Sequence, residues 1–501
     1  MKLQVRGNIN EYYVQTLCML FFPGAKFSKT ESESENVPSA EVSVVDESVE
    51  RVVATVTLIQ NGKSVTVSHS ELRDGAEKVS AERIACGKAF LEAGKKLTGI
   101  TPSWGILTGV RQAKLAIGGL IEGKSKTEVR SFLTKEYLVN PKKAALVTDI
   151  AATEKKIISR VSKNSCSLYI SIPFCPTRCS YCSFVSFTSA KLLNLLDSYL
   201  EHLCSDIAST VDMIHKLGLT ISTVYIGGGT PTTLNTKQLE LLLDTVTSRV
   251  DPSSIEEFTL EAGRPDTITE EKLNVIKAYG VTRISINTQT LNNDVLELIG
   301  RKHTAEDFFR AFEMARKAEI KHINTDLIAG LPGEGFGSFS ETIDEIIRLR
   351  PDNLTFHTLC IKNAADFAHN KNTLYMNAFS ETSKCVDYSQ LSAKNAGYIP
   401  YYIYRQKNTV DNLENVGFAL PGAEGLYNIY MMEEIHSIFA VGAGAVSKMV
   451  SRDGQKIDRI FEYKYPYEYL ADSDGVKNLE KEKKIIAARK RHQDFPKSSV
   501  C

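Results

Sequence analysis

The chain has 501 residues, of which 43% are hydrophobic and 24% are charged, which is ordinary for a folded soluble protein and far from the disordered or fibrous extremes. Lys plus Arg and Asp plus Glu are equal at 60 each, so no net charge attracts nucleic acid, and we expect no nucleic-acid partner. No run of about 18 apolar residues exists, so no membrane span is expected. Ten cysteines without a signal peptide favour the reducing cytoplasm, where close-spaced cysteines more often bind metal than form disulfides.

The N-terminal third is predicted to be an accessory region in two parts. Residues 1–75 form a small α+β unit, with an apolar helix over Tyr12–Phe22 and an Asn61-Gly62 pair that indicates a type I′ hairpin. The strands of this unit are predicted over Val42–Val45, Val52–Ile59 and Ser64–Val67. Residues 76–165 are predicted to be helical, over Ala81–Leu97, Val110–Ile117, Lys126–Glu136 and Pro141–Val161.

Residues 166–364 alternate between short β-branched runs and longer amphipathic stretches. The strands are predicted over Leu168–Ile172, Thr223–Ile226, Glu257–Leu260, Arg283–Ile286, Asn324–Ile328 and Asn353–Phe356. The helices between them are predicted over Leu192–Leu217, Lys237–Val250, Glu270–Tyr279, Ala305–Ala318 and Ser340–Leu349. Six such alternations predict an α/β fold, a partial (β/α)6 TIM-like barrel, whose chemistry belongs at the carboxyl ends of the strands.

The C-terminal region, residues 365–501, is predicted to pack on the barrel as an extension. Its last charged run, Glu480–Arg491, is typical of a solvated helix or a frayed tail.

Three cysteines, Cys175, Cys179 and Cys182, follow the first barrel strand with the spacing C-x3-C-x2-C. Three thiolates can bind three corners of a cubane iron–sulfur cluster and leave the fourth iron open for a substrate. The alternatives are a structural zinc site, which requires a fourth Cys or His nearby, and buried free thiols. The spacing therefore predicts a 4Fe-4S cluster with an open iron.

A glycine-rich turn, Gly227-Gly-Gly-Thr-Pro-Thr232, follows the second barrel strand. Glycines at a strand end allow a ligand to approach the backbone, and the exposed N–H groups can hold a carboxylate. Such a turn alone is weak evidence. Directly after a cysteine-bearing strand it indicates a ligand site.

These motifs resemble the radical S-adenosylmethionine (SAM) superfamily, in which an aromatic residue, here Tyr181, precedes the last cysteine. The motif Tyr169-x-x-Ile-Pro-Phe-Cys175, followed by the glycine-rich turn, resembles that of the oxygen-independent coproporphyrinogen III oxidase (coproporphyrinogen dehydrogenase) family, and the resemblance extends over about Leu168–Ser447. The long N-terminal extension is similar to the variant called the HemZ type. The resemblance implies that the open iron chelates SAM and that one electron cleaves it to methionine and a 5′-deoxyadenosyl radical.

The resemblance also implies which residues hold SAM. A first SAM position would be formed by Tyr169, Gly228 and Glu261, with a backbone contact at Val446. A second SAM position would be formed by Tyr181, Gly229, Thr230, Gln289, Arg301 and Asp326. Arg301 can bind a carboxylate of SAM or of a propionate through two parallel hydrogen bonds.

The implied reaction is oxidative decarboxylation of the propionates of coproporphyrinogen III to vinyl groups, giving protoporphyrinogen IX in haem biosynthesis. It implies a tetrapyrrole substrate and a low-potential electron donor such as flavodoxin or ferredoxin. Two residues depart from the oxidase pattern: Ser171 replaces a histidine, and Phe184 replaces an additional cysteine. A haem chaperone, a radical SAM methyltransferase or ring-opening enzyme, and a zinc-binding interaction module remain alternatives.

Overall fold

The structure is a computed structural model that describes residues 1–27, 37–73, 81–109, 111–184, 186–360, 381–406, 409–451, 454, 456–472 and 475–493. The chain forms two compact units. The first contains residues 1–152 and 403–414, and the second contains residues 153–402 and 415–501. The four-part division at residues 75, 165 and 364 stays a prediction. No helix among the described residues is long and apolar enough to cross a membrane.

The first unit contains a four-stranded sheet and a set of helices. Its strands are β1 (Lys2–Arg6), β2 (Ser39–Asp46), β3 (Arg51–Gln60) and β4 (Lys63–Leu72), in that spatial order. Its helices are α1 (Glu11–Phe21), α2 (Ala81–Thr98), α3 (Ala113–Ile121) and α4 (Lys126–Lys135), and α5 (Pro141–Ile158) leads into the second unit. All the helices and strands predicted here are confirmed within a few residues, whereas β1, which pairs parallel to β2, was not predicted.

The sheet of the first unit forms because every second residue of β3 is apolar. Val52, Ala54, Val56 and Leu58 are fully buried and belong to one core with the apolar faces of α1 and α2. The predicted hairpin is confirmed: Asn61 and Gly62 have φ values of 50° and 75°, the left-handed conformation that a type I′ turn requires at both positions.

The second unit is built on an eleven-stranded sheet with the order β11-β12-β10-β9-β8-β7-β6-β5-β13-β14-β15. Strands β5 to β10 run parallel to one another, with β13 parallel to β5. The first six strands are β5 (Ser165–Ile172), β6 (Thr220–Gly228), β7 (Glu257–Glu261), β8 (Arg283–Ser285), β9 (His322–Ala329) and β10 (Asn353–Thr358). The other five are β11 (Ile399–Tyr404), β12 (Asn415–Ala419), β13 (Ile438–Val441), β14 (Val446–Val450) and β15 (Ile457–Phe461).

Helices connect the parallel strands. They are α6 (Ala190–Leu193), α7 (Leu196–Lys216), α8 (Thr236–Thr247), α9 (Glu270–Ala278), α10 (Asn293–Leu298), α11 (Ala305–Lys317) and α12 (Phe336–Leu349). The later helices are α13 (Thr382–Asn395), α14 (Leu426–Met432), α15 (Pro466–Leu470) and α16 (Val476–Gln493). Capping boxes at Asn235/Gln238 and Thr304/Asp307 fix the first turns of α8 and α11.

The predicted α/β fold with six parallel strands and intervening helices is confirmed, and the sheet is open at β11 and β15 in the part of the chain that the structure describes. The single helix predicted over Leu192–Leu217 is two helices, α6 and α7. The C-terminal region also adds strands to the sheet, because β12 pairs antiparallel to β10 and β13 pairs with β5. Its charged run is helical, but it is only partly solvated: Lys481 is buried and forms an ion pair with Glu462.

Candidate functional site

The cysteine-bearing loop leaves β5 and is held by backbone hydrogen bonds at both ends. The N–H of Cys175 donates to the carbonyl of Phe187, and the N–H of Cys182 donates to the carbonyl of Cys179, at 3.1 and 3.0 Å. The N–H of Ser180 donates to the carbonyl of Ile299, just after α10, at 3.0 Å. These bonds fix the conformation of the loop that carries the three thiols after the end of β5.

Two of the three thiols, those of Cys175 and Cys182, lie where burial favours the neutral state. Burial raises the pKa of Cys175 to about 11, although a contact of 3.3 Å between its Sγ and Thr230 Oγ1 opposes the shift. Burial also raises the pKa of Cys182. Thiolates are the metal-binding form, so iron at these sulfurs would replace the protons.

Three cysteine sulfurs match the three-thiolate ligand set of a cubane cluster with one open iron. In the described part of the chain, no group of three Cys, His, Asp or Glu side chains could hold one metal ion. A cubane binds each thiolate to a different iron, so its ligands need not converge on one point. The three thiols are close enough for the charges of Cys179 and Cys182 to raise the pKa of Cys175, and this donor set fits the predicted 4Fe-4S cluster.

The glycine-rich turn lies beside this loop because β6 pairs with β5 up to Gly228. A Cβ at Gly229 would lie 2.5 Å from the carbonyl oxygen of Phe174, and one at Gly228, where φ is +111°, would lie 3.0 Å from Ser171 Oγ. A Cβ at Gly227 would lie 3.1 Å from the carboxylate of Glu261. Only glycine therefore permits this close approach of the strand ends.

Glu261 is the last residue of β7 and is paired across the sheet with Ser285. Its Oε1 accepts a hydrogen bond from Tyr225 Oη at 2.5 Å. Burial raises the pKa of Glu261 to about 7, although the bond from Tyr225 opposes the shift. A cationic ligand group would restore the charged form, so the carboxylate is suited to bind an ammonium group.

Gln289 continues from β8 in a strained backbone conformation. Its φ is +74°, and its backbone N–H donates to the carbonyl of Asp326 at 3.1 Å. Among the described residues its side-chain Oε1 is buried without a hydrogen-bond partner. A buried acceptor without a partner, on a strained residue, is typical of a ligand site.

Arg301 uses much of its guanidinium group on the protein itself. Its Nη1 donates to the carbonyls of Asn287 and Gly263 at 2.5 and 3.2 Å, and its Nε donates to Tyr181 Oη at 3.3 Å. These bonds orient Tyr181 and Arg301 beside the cysteine loop. The two parallel hydrogen bonds from Arg301 to a ligand carboxylate, which the sequence predicts, would compete with its bonds to these carbonyls.

Asp326 lies on β9 and is charged despite its burial. Burial alone would raise its pKa, but His357, with Nε2 3.6 Å from Asp326 Oδ2, and the amide of Asn324 outweigh this effect and lower the pKa. The carboxylate is thus available as a hydrogen-bond acceptor at neutral pH.

Tyr169 faces a stack of aromatic rings that the sequence did not predict. Its ring centroid lies 6.0 Å from that of Tyr225 and 6.5 Å from that of Tyr427, and the Tyr225 and Tyr427 rings are 4.5 Å apart. Tyr427 belongs to α14, which is far along the chain, so only the strand and helix packing reveals it.

Ser171 and Val446 flank a second turn that contacts the end of β5. Ser171 Oγ donates to the carbonyl of Ala443 at 2.9 Å, and Tyr199 Oη bridges the carbonyl of Ser171 and the N–H of Ala443. Val446 follows this turn as the first residue of β14. The residue that replaces the expected histidine is therefore buried in protein contacts, and Phe184 is 70% exposed.

Two buried polar residues near Arg301 and the cysteine loop were also missed, Arg264 and His303. Arg264 contacts Cys179, and His303 has both ring nitrogens without a hydrogen-bond partner in the described structure. Burial and the nearby charges of Arg301 and Arg264 lower the pKa of His303 to about 3, so it is neutral. The arginine in Gly263-Arg-Pro and the histidine in Arg301-Lys-His303 carried no metal-site signal in the sequence.

The strand order brings most of the predicted site residues to the carboxyl-terminal end of the parallel strands. The carboxyl ends of β5, β6, β7, β8 and β9 are adjacent, and they are followed by the cysteine loop, the glycine-rich turn, Glu261 and Gln289, while Asp326 lies within β9. Ligands of open parallel sheets bind at this edge.

The chain is similar to radical SAM proteins and to proteins with haem-related names. A model of the radical SAM superfamily matches residues 169–346. An oxygen-independent coproporphyrinogen-III oxidase-like protein, HemZ, from Bacillus subtilis is 37% identical over 464 residues, covering 91% of this chain and 92% of the relative. A haem chaperone, HemW, from Lactococcus lactis is 32% identical over 283 residues, covering 56% of this chain and 68% of the relative.

A solved structure, coproporphyrinogen III oxidase (HemN) from Escherichia coli, aligns with a TM-score of 0.49 at 22% identity, covering 65% of this chain and 73% of that chain. A radical SAM domain implies a 4Fe-4S cluster and SAM.

Proposed function

Because the chain belongs to the radical SAM superfamily, and within it to the HemZ-type family of oxygen-independent coproporphyrinogen-III oxidase-like proteins, we propose that it is an oxidative decarboxylase of coproporphyrinogen III. The substrate would be a porphyrinogen, and the products would be protoporphyrinogen IX, carbon dioxide, methionine and 5′-deoxyadenosine. A low-potential donor such as flavodoxin or ferredoxin would supply the electrons.

One observation carries this proposal: three thiols, a glycine-rich backbone edge and a buried carboxylate lie at the ends of three adjacent parallel strands, β5, β6 and β7. Cys175, Cys179 and Cys182 would hold the cluster. Gly228 and Glu261 would hold the first SAM. Glu261 would bind the amino group of SAM, because the buried carboxylate needs a cation to ionise fully below pH 7.

When bound, the cluster and SAM supply a radical that can take a hydrogen atom from an unactivated carbon. The protein positions the ligands and excludes water, which protects a radical from side reactions. The rings of Tyr169, Tyr225 and Tyr427 stack on one another, and the hydroxyl group of Tyr225 donates a hydrogen bond that orients Glu261.

A second SAM is part of the proposal. Gln289 offers a buried oxygen without a partner, and Asp326 offers a charged carboxylate kept ionised by His357. Gly229, Thr230, Tyr181 and Arg301 would complete this position. Two propionates are converted in each substrate, and each conversion consumes one radical.

Conversion of each propionate to a vinyl group removes one hydrogen atom, one carbon dioxide and one electron. The side chain loses one hydrogen atom from its β-carbon, releases carbon dioxide and gives up one electron, and a vinyl group remains. The electron needs an acceptor, which the assay must therefore contain.

The test is an anaerobic assay with reductant, SAM, an electron acceptor and coproporphyrinogen III. We expect vinyl product and 5′-deoxyadenosine in equal amounts per propionate converted. Cys179→Ala should lose iron, sulfide and both products, whereas Cys204→Ala, which replaces a half-buried thiol on α7, should retain them. Formation of 5′-deoxyadenosine without vinyl product would leave the radical chemistry and remove the decarboxylase proposal.

A haem chaperone is the second candidate, because haem chaperones are among the relatives and because Phe184, exposed at the rim of the cysteine loop, replaces the additional cysteine of the oxidase pattern. This alternative predicts stable binding of haem with no conversion of coproporphyrinogen III. A haem titration of the same protein, followed by its absorbance, distinguishes the two candidates.

A further inference from the structure

Arg264 lies in the turn after β7 and reaches the cysteine loop. Its Nη1 donates to Thr177 Oγ1 at 2.8 Å and lies 3.8 Å from Cys179 Sγ. Its Nε and Nη2 donate to the two carboxylate oxygens of Asp266 at 3.0 and 3.1 Å. One side chain therefore joins the loop between the first and second cysteines to the strand that ends at Glu261.

The positive charge of Arg264 is almost fully removed from solvent, with 3% of its side chain exposed. Asp266, its carboxylate partner, is 28% exposed on the far side of the guanidinium group from the sulfur. Arg301 is also buried beside the loop, and His303 is neutral. A charge in such a poorly hydrated site acts strongly on its neighbours because water does not screen it.

We propose, on the basis of the proposed cluster site, that Arg264 is a positioning residue that fixes the cysteine loop and raises the reduction potential of the cluster. The physical reason is charge. Reduction adds one electron to a cluster that already carries thiolate ligands, so a buried cation and an N–H donor at Cys179 stabilise the reduced form more than the oxidised form. Asp266 reduces this effect by partly neutralising the cation.

The chain contains a matched control for this charge. Arg178 precedes Cys179 directly, but it is exposed to solvent, where its charge is screened. Arg178→Gln and Arg264→Gln therefore each remove one positive charge near Cys179, the first from an exposed site and the second from a buried one. The charge of Arg178 also acts on Cys182, but through solvent, so its removal should change the cluster much less.

The experiment is a potentiometric titration of the reconstituted cluster without SAM, followed by electron paramagnetic resonance of the reduced state. We expect Arg264→Gln to lower the ratio of reduced to oxidised cluster at a fixed potential about tenfold, which corresponds to about 59 mV for a one-electron couple. Arg178→Gln should lower the ratio much less, because the exposed charge of Arg178 acts on Cys182 through solvent. Asp266→Asn should raise the ratio, because it leaves the cation and removes its neutralising partner.

The opposite signs separate an electrostatic role from a loss of structure. A parental ratio in Arg264→Gln, or an unchanged or lower ratio in Asp266→Asn, overturns the proposal. If Arg264→Gln fails to hold iron, Asp266→Asn decides alone. Absence of iron and sulfide from the parent protein would instead refute the cluster proposal, so the two failures are distinguishable.

Discussion

Replacing Gly229 by alanine tests how closely the glycine-rich turn must approach the cysteine loop. The new Cβ would lie 2.5 Å from the carbonyl oxygen and 2.9 Å from the carbonyl carbon of Phe174, whereas ordinary contacts begin near 3.4 Å. Both neighbours are backbone atoms, so the ends of β5 and β6 must separate by about 0.9 Å, the difference between these contact distances.

This separation has a calculable cost. Two backbone hydrogen bonds, from Gly229 to Ile172 and from Thr230 to Phe174, are both 2.8 Å long and would lengthen. Overpacking costs about 1–3 kcal/mol, and each weakened hydrogen bond costs about 0.5–1.5 kcal/mol. We therefore expect Gly229→Ala to lower the free energy of unfolding by about 2–6 kcal/mol and to reduce iron content, because Thr230 contacts Cys175.

The assay is urea unfolding followed by circular dichroism, together with iron and sulfide analysis after anaerobic reconstitution. Gly337→Ala is the control, because a Cβ there meets nothing within 4 Å and the residue lies in helix α12, where alanine is favoured by about 0.5–1 kcal/mol. Parental stability and iron content in Gly229→Ala would refute the predicted close contact.

Three further predictions concern buried charges. SAM affinity, measured by calorimetry, should rise by up to tenfold per pH unit towards pH 7 and level off above it, because the ligand cation binds the ionised form of Glu261, whose pKa is about 7. Glu261→Gln should show no such dependence, and a flat profile of the parent protein would contradict this role. Tyr225→Phe should move the plateau to higher pH in the same titration, since it removes a bond to the carboxylate. Glu414→Gln should destabilise the first unit by about 3–5 kcal/mol, because it removes the carboxylate charge that forms a buried ion pair with Lys143. Trp104, the sole tryptophan, lies in this unit and donates a hydrogen bond to Glu414, so its fluorescence emission reports the unfolding of the unit. An unchanged urea midpoint would count against the buried pair.

The sequence alone was sufficient for the features that depend on local pattern. A run of β-forming residues identified β3, the Asn61-Gly62 pair identified its hairpin, and β-branched runs between amphipathic stretches identified the six parallel strands of the second unit. The spacing of Cys175, Cys179 and Cys182 is local in the same sense, because one loop carries all the donor atoms. Right-handed parallel connections then place the strand ends, and hence Glu261, at one edge.

Features that depend on distant partners appeared only in the tertiary structure. Strand β13 extends the sheet beside β5, and Tyr427 joins the aromatic stack, although each is more than 200 residues from its neighbour in the chain. Arg264 and His303 were not recognised because their type and spacing signal nothing until the fold brings Arg264 to Cys179 and His303 to Arg264 and Arg301.

Burial also determined the chemistry of residues that the sequence had identified. Glu261 and Asp326 are both strand carboxylates, yet their pKa values shift in opposite directions, because one is desolvated beside a tyrosine and the other accepts hydrogen bonds from His357 and Asn324. Sequence specifies which group is present. The packing around it fixes its charge, because desolvation and hydrogen bonding act through neighbours from other strands.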